Sequence, residues 1–314
     1  MPARAAAPLD VAIVGCGAVV DRLYRPALHA LERTGVVRVV ALVDPDTRRA
    51  AAMARGFRGA RVSPSLAESP TATLTLVASP PVLHPEHALA AIERGSHVLC
   101  EKPMALTPAD GAAMHAAART AGCVLAVGMT RRVYPCVVDA RALIAAGALG
   151  DDLRFVHREG LRYDWPASTA SAFRRATAGG GVLVDTGSHA LDLLSLLLGP
   201  LSVVAYADDG DHDGVETNCR VELAGERAHG VMQLSWTEPL VTGLHVIGSA
   251  GELLLDPRVV DELRWRRRDR EWVRVTCARP PASRASRTSA SRIGWPTRRR
   301  SRRSSARSRG ATSS

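Results

Sequence analysis

Lysine is almost missing from this 314-residue chain: Lys102 stands alone among 41 basic residues, and the rest are arginine. A composition rich in Ala, Arg, Gly and Pro suits GC-driven codon use, under which a single lysine survives by chance. The other reading is chemical. An ammonium is a compact charge whose pKa moves readily on burial, so it can join proton chemistry closed to a guanidinium. Lys102 lies in Glu101-Lys102-Pro103, directly after the apolar run 97–100, where such a role would be placed. Aromatic residues are scarce as well, at 4%, so a core drawn from the 46% hydrophobic content has to be mainly aliphatic.

Other absences narrow the class. The six cysteines (Cys16, Cys100, Cys123, Cys136, Cys219 and Cys277) include no CxxC pair and no metal-type spacing, so they read as reduced core residues of a cytoplasmic protein, with no metal expected. The first ten residues contain no long apolar segment, and the greasiest stretch, 191–206, is interrupted by Gly199-Pro200. Neither export nor a membrane span is expected. The formal charge of +10 suggests nucleic acid, but residues 278–314 hold eleven Arg and no acid, which leaves residues 1–277 at −1. No nucleic-acid partner is expected of the globular part, because only the tail's charge argues for one.

What is present is an alternating pattern. Short apolar runs at 11–14, 36–43, 74–78, 97–100 and 123–127 are separated by helical spacing at 21–33, 47–54, 85–94 and 108–121, which predicts α/β architecture with a parallel sheet covered on both faces. After Gly128 one helix, 137–146, precedes strand-length segments at 153–156, 202–206, 219–223, 230–236 and 244–247. Their alternation of polar and apolar residues predicts an α+β part whose antiparallel sheet has one wet face. The division expected is 1–128, 129–277 and an Arg/Ser-rich tail, 278–314, without apolar periodicity and expected to be disordered.

Gly15-Cys16-Gly17 ends the first strand and opens a helix, an arrangement that lets a pyrophosphate approach backbone N–H groups. Val20 stands where the third glycine of the dinucleotide fingerprint is usual. Asp44, ending the second strand, is placed to accept the adenosine ribose hydroxyls and repel a 2′-phosphate, which favours NAD over NADP; the alternative is a helix-capping acid, a role open also to Asp46-Thr47. Further on, Gly179-Gly180-Gly181 leads into Asp185, His189 and Asp192, spaced i, i+4 and i+7. If helical, they share a face, and a carboxylate one turn from an imidazole can orient it; a surface pair or satisfied core pair is the bland alternative.

Taken together, the GCG turn, Asp44, Ala78-Ser79-Pro80-Pro81 with His84, Glu101-Lys102-Pro103 and the Gly-Gly-Gly-x-Leu-x-Asp-x-Gly-x-His-x-x-Asp run resemble the Gfo/Idh/MocA oxidoreductases over about residues 10–277. The resemblance implies a Rossmann doubly wound parallel sheet followed by a substrate domain with an open, mainly antiparallel sheet. It implies Lys102, Asp185 and His189 as catalytic, and Gly15, Gly17, Ala18, Asp44, Ser79, Pro80, His84, Glu101 and Pro103 along the cofactor. Arg132, Tyr163 and Trp165 are candidate contacts to a polyol or sugar substrate, with domain packing as the alternative. The activity implied is NAD-dependent hydride transfer at a secondary CH–OH carbon of a sugar, nucleotide sugar or cyclitol, by a homo-oligomer. Repressors in the family make a non-catalytic dinucleotide-sensing regulator the alternative, although a sensor does not need all three catalytic residues.

The family continues with sheet and a helix where this chain has its Arg/Ser run. Regrouping CGN and TCN codons by one base turns 293–297 into Arg or Trp, a Leu-like residue, Ala and one of Asp, Asn, His or Tyr, and 298–308 into small residues with an apolar residue about every third or fourth place, an amphipathic pattern. The tail is therefore expected to be a reading-frame product, which resequencing codons 250–314 tests.

Overall fold

The computed structural model describes residues 7–166, 173–210, 214–241 and 243–277, so the expectations for the tail lie outside the described residues. Six strands, β1 (Leu9–Val14), β2 (Val37–Val43), β3 (Arg61–Ser63), β4 (Leu74–Val77), β5 (His97–Cys100) and β6 (Leu125–Val127), form a parallel sheet in the order β3-β2-β1-β4-β5-β6. Successive residues of a strand point to opposite faces, and here both faces are covered. Val11 and Ile13 pack with Leu28 of α1 (Arg25–Arg33) and with Ala50 and Met53 of α2 (Thr47–Ala54). Ala12 and Val14 pack with Ala88 and Ile92 of α3 (His84–Glu93) and with Met114 of α4 (Pro108–Thr120). Burial on both sides is why these strands read as continuous apolar runs.

The strand order turns at β1, with β2 on one side and β4 on the other. In open α/β sheets the crevice beyond the strand ends at such a point is where ligands bind. Gly15, Asp44, Ser79 and Glu101 all follow directly on the carboxyl ends of β1, β2, β4 and β5, apart from one intervening residue before Ser79.

The second sheet has eight strands: β7 (Leu153–Gly160), β8 (Ser202–Asp208), β9 (Asn218–Ala224), β10 (Ala228–Ser235), β11 (Gly243–Ile247), β12 (Gly251–Leu255), β13 (Glu262–Arg267) and β14 (Val273–Thr276). They run in the order β14-β13-β12-β11-β7-β10-β9-β8, antiparallel except at β7/β10. One face is covered by α5 (Pro135–Ala145) and α7 (Ser188–Leu198); a short α6 (Arg175–Ala178) precedes α7. Along β7, Leu153, Phe155 and His157 point to the core while Arg154, Val156 and Arg158 point away, the alternation expected of a sheet with one wet face. The stretch Arg175–Leu198 has the length and apolar content of a membrane span, yet Leu193, Leu194, Leu197 and Leu198 are buried in this core. Burying each such leucine contributes roughly 1.5–3 kcal/mol. Both sheets fall within one compact unit.

Candidate active site

At the first turn, Gly15 has φ +91°, and a Cβ there would stand 2.6 Å from the Ala78 carbonyl oxygen, so the turn after β4 can lie this close only to a glycine. Gly17 differs: a Cβ would meet nothing within 4 Å, which leaves its backbone approachable from outside. Ala18 starts the helix, and Val20, fully buried where the fingerprint has its third glycine, begins a π-helical segment, Val20–Tyr24. A widened turn accommodates a branched side chain at a crossing where glycine would allow closer packing.

Asp44 does more than the sequence suggested. It is 3% exposed; its Oδ2 accepts the Cys16 N–H at 2.9 Å, its Oδ1 accepts the Asp46 N–H at 2.8 Å, and Arg49 lies over both oxygens at 3.3 and 3.4 Å. The capping role falls to Asp46, which accepts the Arg48 and Arg49 N–H groups at the start of α2.

His84 does not line a surface. It is 1% exposed, with Nδ1 2.8 Å from the Pro103 carbonyl and Nε2 2.8 Å from the Ser79 carbonyl, so it ties the turn after β4 to the turn after β5. Burial outweighs these two acceptors and holds its pKa below the usual value. Ser79 also meets His87 through its hydroxyl, and Pro80 immediately precedes the 3-10 turn Pro81–Leu83. Glu101 accepts the Tyr24 hydroxyl at 2.6 Å and the Lys102 N–H at 3.1 Å. Tyr24 was not foreseen; burial, with the Glu101 carboxylate beside it, pushes its phenol up.

The two chemical clusters meet through Lys102. Its Nζ donates to Asp185 Oδ1 at 2.5 Å and to the Asp185 carbonyl at 3.0 Å, joining the β5 turn to a second π segment, Leu183–Gly187, which runs into α7. Because of that segment, Asp185, His189 and Asp192 do not share one straight α-helical face: Asp185 faces Lys102, while Asp192 is taken by Arg132 in a bidentate pair. His189 stands between them. Its Nδ1 is buried without a hydrogen-bond partner among the described residues, and its pKa is lowered to about 3 by burial first, then by Lys102 and Arg131. The ring is thus neutral at ordinary pH.

Of two adjacent arginines, the one not singled out from sequence belongs to the interior. Arg131 makes a bidentate pair with Glu159 on β7 at 2.5 and 2.8 Å, and Glu159 also faces His157 Nε2 at 2.8 Å. The Arg131 and His157 partners hold Glu159 down to about 2, against the penalty of burial, which is the largest single influence. Arg132 is the outer one, half exposed on Asp192. Tyr163 packs edge-on against Trp236 and Phe173, with centroids 4.9 and 5.1 Å apart, and its phenol is pushed up to about 12 by burial and then by Asp185. Trp165 instead lies under the Arg22 guanidinium, 5.4 Å from the ring centroid, against the helix that follows the GCG turn. Glu216 was also missed: its buried carboxylate accepts the Gly181 and Leu183 N–H groups, and a Cβ on Gly181 would lie 1.8 Å from the Glu216 carbonyl oxygen. No motif marks Glu216, because the contact spans 35 residues.

Comparison with known proteins shows the family to which the chain is related. A family model described as an oxidoreductase family with an NAD-binding Rossmann fold matches residues 9–129, and a GFO/IDH/MocA C-terminal domain model matches residues 137–254. Levoglucosan dehydrogenase of Pseudarthrobacter phenanthrenivorans is 34% identical over 54% of this chain and 44% of its own length. D-glucoside 3-dehydrogenase of Escherichia coli is 34% identical over 63% of this chain and 56% of its own. The chain thus spans about half the length of these two curated relatives. A 3-reductase of Streptomyces violaceoruber, acting on dTDP-3,4-didehydro-2,6-dideoxy-α-D-glucose by its name, is 31% identical over 79% of this chain and 72% of its own. The solved structure of a levoglucosan dehydrogenase in complex with NADH and levoglucosan superposes with a TM-score of 0.75 at 22% identity, covering 86% of this chain and 80% of that one, a likeness of fold.

Proposed function

The chain belongs to the Gfo/Idh/MocA oxidoreductase family, and from that membership we propose that it is an NAD-dependent enzyme moving a hydride to or from a secondary CH–OH carbon of a sugar, nucleotide sugar or cyclitol. The observation that carries the proposal is the Lys102 ammonium bonded to Asp185 one turn before a neutral His189. A dinucleotide-sensing regulator would use the cofactor half alone and gives no reason for these three to converge.

The residues at the strand ends fit a dinucleotide. Gly15 lets the turn after β4 close against the first turn and Gly17 leaves it open to a pyrophosphate, the helix from Ala18 supplies orphan N–H groups, and Asp44, Ser79, Pro80, Glu101 and Pro103 follow along the crevice, with His84 bracing it from beneath. Bound there, the nicotinamide would supply the hydride acceptor or donor. Three N–H groups leave Nζ of Lys102; two go to Asp185, and the third, without a partner among the described residues, would serve the substrate oxygen, where a positive charge stabilises the anionic character that grows as the O–H proton leaves. His189, neutral and with Nδ1 enclosed, would take that proton on Nε2 or return it in the opposite direction. Asp185 fixes the ammonium and has an oxygen left for a second hydroxyl. Tyr163, backed by Trp236 and Phe173, offers a ring to a sugar face. Trp165 and Arg132 stand further out, on Arg22 and Asp192.

We place residues 1–128 as the dinucleotide domain and 129–277 as the substrate domain. The same reading includes a homo-oligomeric, cytoplasmic enzyme without a nucleic-acid or membrane partner; exposed Val203, Val204 and Tyr206 on the edge strand β8 support the first of these. Mixing the protein with NAD and a panel of pyranosides, nucleotide sugars and cyclitols while following NADH absorbance tests the proposal. Turnover on at least one class is expected. Dinucleotide binding with no turnover in either direction on any of them would point to the sensor.

A further inference from the structure

Three successive backbone N–H groups at the head of the helix that carries Asp185 and His189 end on one residue, Glu216. Its buried carboxylate accepts the Gly181 N–H at 3.0 Å on both oxygens and the Leu183 N–H at 2.9 Å on Oε1, while its own carbonyl accepts the Val182 N–H at 2.9 Å. These are the orphan donors of a helix that begins at Val182 and runs through the π segment Leu183–Gly187 into α7. A carboxylate there suits the positive end of the helix dipole. The short segment around Glu216 is also tied on either side. The Gly214 carbonyl accepts Arg175 Nε of α6 at 2.7 Å, and the Thr217 carbonyl accepts the Trp236 N–H at 2.8 Å; the Trp236 carbonyl in turn accepts the Tyr163 N–H at 2.8 Å. Residues 214–217 thus bind the approach to the glycine run, the head of the helix and the aromatic wall of the site.

We infer that Glu216 is a positioning residue for the reaction: by gripping residues 181–183 it fixes where the helix starts, and so holds Asp185 on Lys102 and in register with Tyr163. The inference rests on the catalytic reading proposed above and adds to it the residue that aligns the set. Asp185 donates its N–H to the Gly181 carbonyl at 3.0 Å, so the residue that Glu216 grips is one hydrogen bond from the residue that meets Lys102. The π segment matters for the same reason. The Asp185 carbonyl accepts both Lys102 Nζ and Ser188 Oγ, each at 3.0 Å. With an α-turn in place of the π segment, residues before and after it would be offset by one position, about 100° around the helix axis, which carries Asp185 away from Lys102. Glu216 stays buried and acts only through this backbone.

Because Lys102 is the only lysine, protein grown on lysine labelled with 13C at Cε and 15N at Nζ gives a single side-chain signal, read by NMR on the full chain. Glu216→Gln keeps the shape and sets an amide N–H against backbone N–H groups; Asp185→Asn marks where the signal lies without the ion pair. Glu216→Gln is expected to move the Lys102 signal toward its Asp185→Asn position. It should also lower kcat per NADH-binding site by about tenfold or more, the scale of a small misplacement, with the Kd for NADH within about threefold of wild type. In the Asp185→Asn background the same change should lower kcat by less than about threefold further, since the alignment it supports is already lost. Arg175→Met loosens the segment from its exposed end and decides the matter where Glu216→Gln yields no NADH-binding protein; a smaller displacement of the signal in the same direction is expected. An unmoved Lys102 signal in whichever variant folds, or a Glu216→Gln kcat within about threefold of wild type, would leave Glu216 a stability element alone and overturn the inference. A signal identical in wild type and Asp185→Asn would overturn the Lys102–Asp185 pair of the proposed function itself, a different result from one that ignores residue 216.

Discussion

Replacing Glu159 with glutamine removes one charge from a buried pair beside the candidate catalytic histidine and leaves the shape intact. In the folded chain the Glu159 carboxyl titrates at about 2, against an ordinary value of 4.5. At about 1.4 kcal/mol per pH unit this linkage corresponds to roughly 3 kcal/mol of stability at neutral pH. The folded value is the depressed one, so the stabilisation is complete above pH 4.5 and lost as pH falls toward 2. Glutamine does not titrate. The stability difference between wild type and Glu159→Gln should therefore be about 3 kcal/mol at pH 7, a size also expected from stranding Arg131 in the interior, and about half that at pH 3. Urea unfolding of both proteins at the two pH values measures it. A difference below about 1 kcal/mol at pH 7, or one that does not change with pH, would refute the reasoning. The double variant Arg131→Met/Glu159→Leu should cost less than Glu159→Gln alone, because no charge is left unpaired.

Other residues give independent checks. His189 is neutral in the fold with a pKa near 3 against the usual 6.5, so the unfolded chain binds more protons between these values; stability from this residue falls as pH drops through that window, and His189→Gln should flatten that part of the curve in urea titrations. Gly17→Ala places its Cβ in open space and should leave Tm unchanged while weakening NADH affinity about tenfold or more, as read by calorimetry; an unaltered affinity would remove Gly17 from the site. Gly181→Ala drives its Cβ into the Glu216 backbone and should lower stability by about 1–3 kcal/mol or more by thermal unfolding. Asp46→Ala removes the α2 cap and should cost about 1 kcal/mol in the same assay.

The parts of the molecule that were legible in the sequence are those where local chemistry repeats. Val11–Val14 followed by a glycine turn and helical spacing can be read because a doubly covered strand is apolar at every position. β3, β13 and β14 escaped because Arg61–Ser63, Glu262–Arg267 and Val273–Thr276 are short or rich in arginine, and so carry no clear apolar alternation although each pairs with a neighbouring strand in sequence. The spacing of Asp185 and His189 suggested a plain helix; the π segment Leu183–Gly187, which aims Asp185 at Lys102, depends on Glu216 gripping Gly181 and Leu183 and leaves no periodic trace. Arg131 and Arg132 are indistinguishable as neighbours in sequence, yet one meets Glu159 inside and the other Asp192 outside. Asp44 was found as an acid at a strand end, but Arg49, which covers it, was visible only in space.

Lys102→Met is the most direct test of the central claim, that this lone ammonium acts on the substrate oxygen. It keeps much of the bulk and removes the charge. Measured on whichever sugar or cyclitol the wild type turns over, kcat is predicted to fall by roughly 10²-fold or more while the Kd for NADH stays within about threefold. Turnover near the wild-type rate with intact NADH binding would contradict the account.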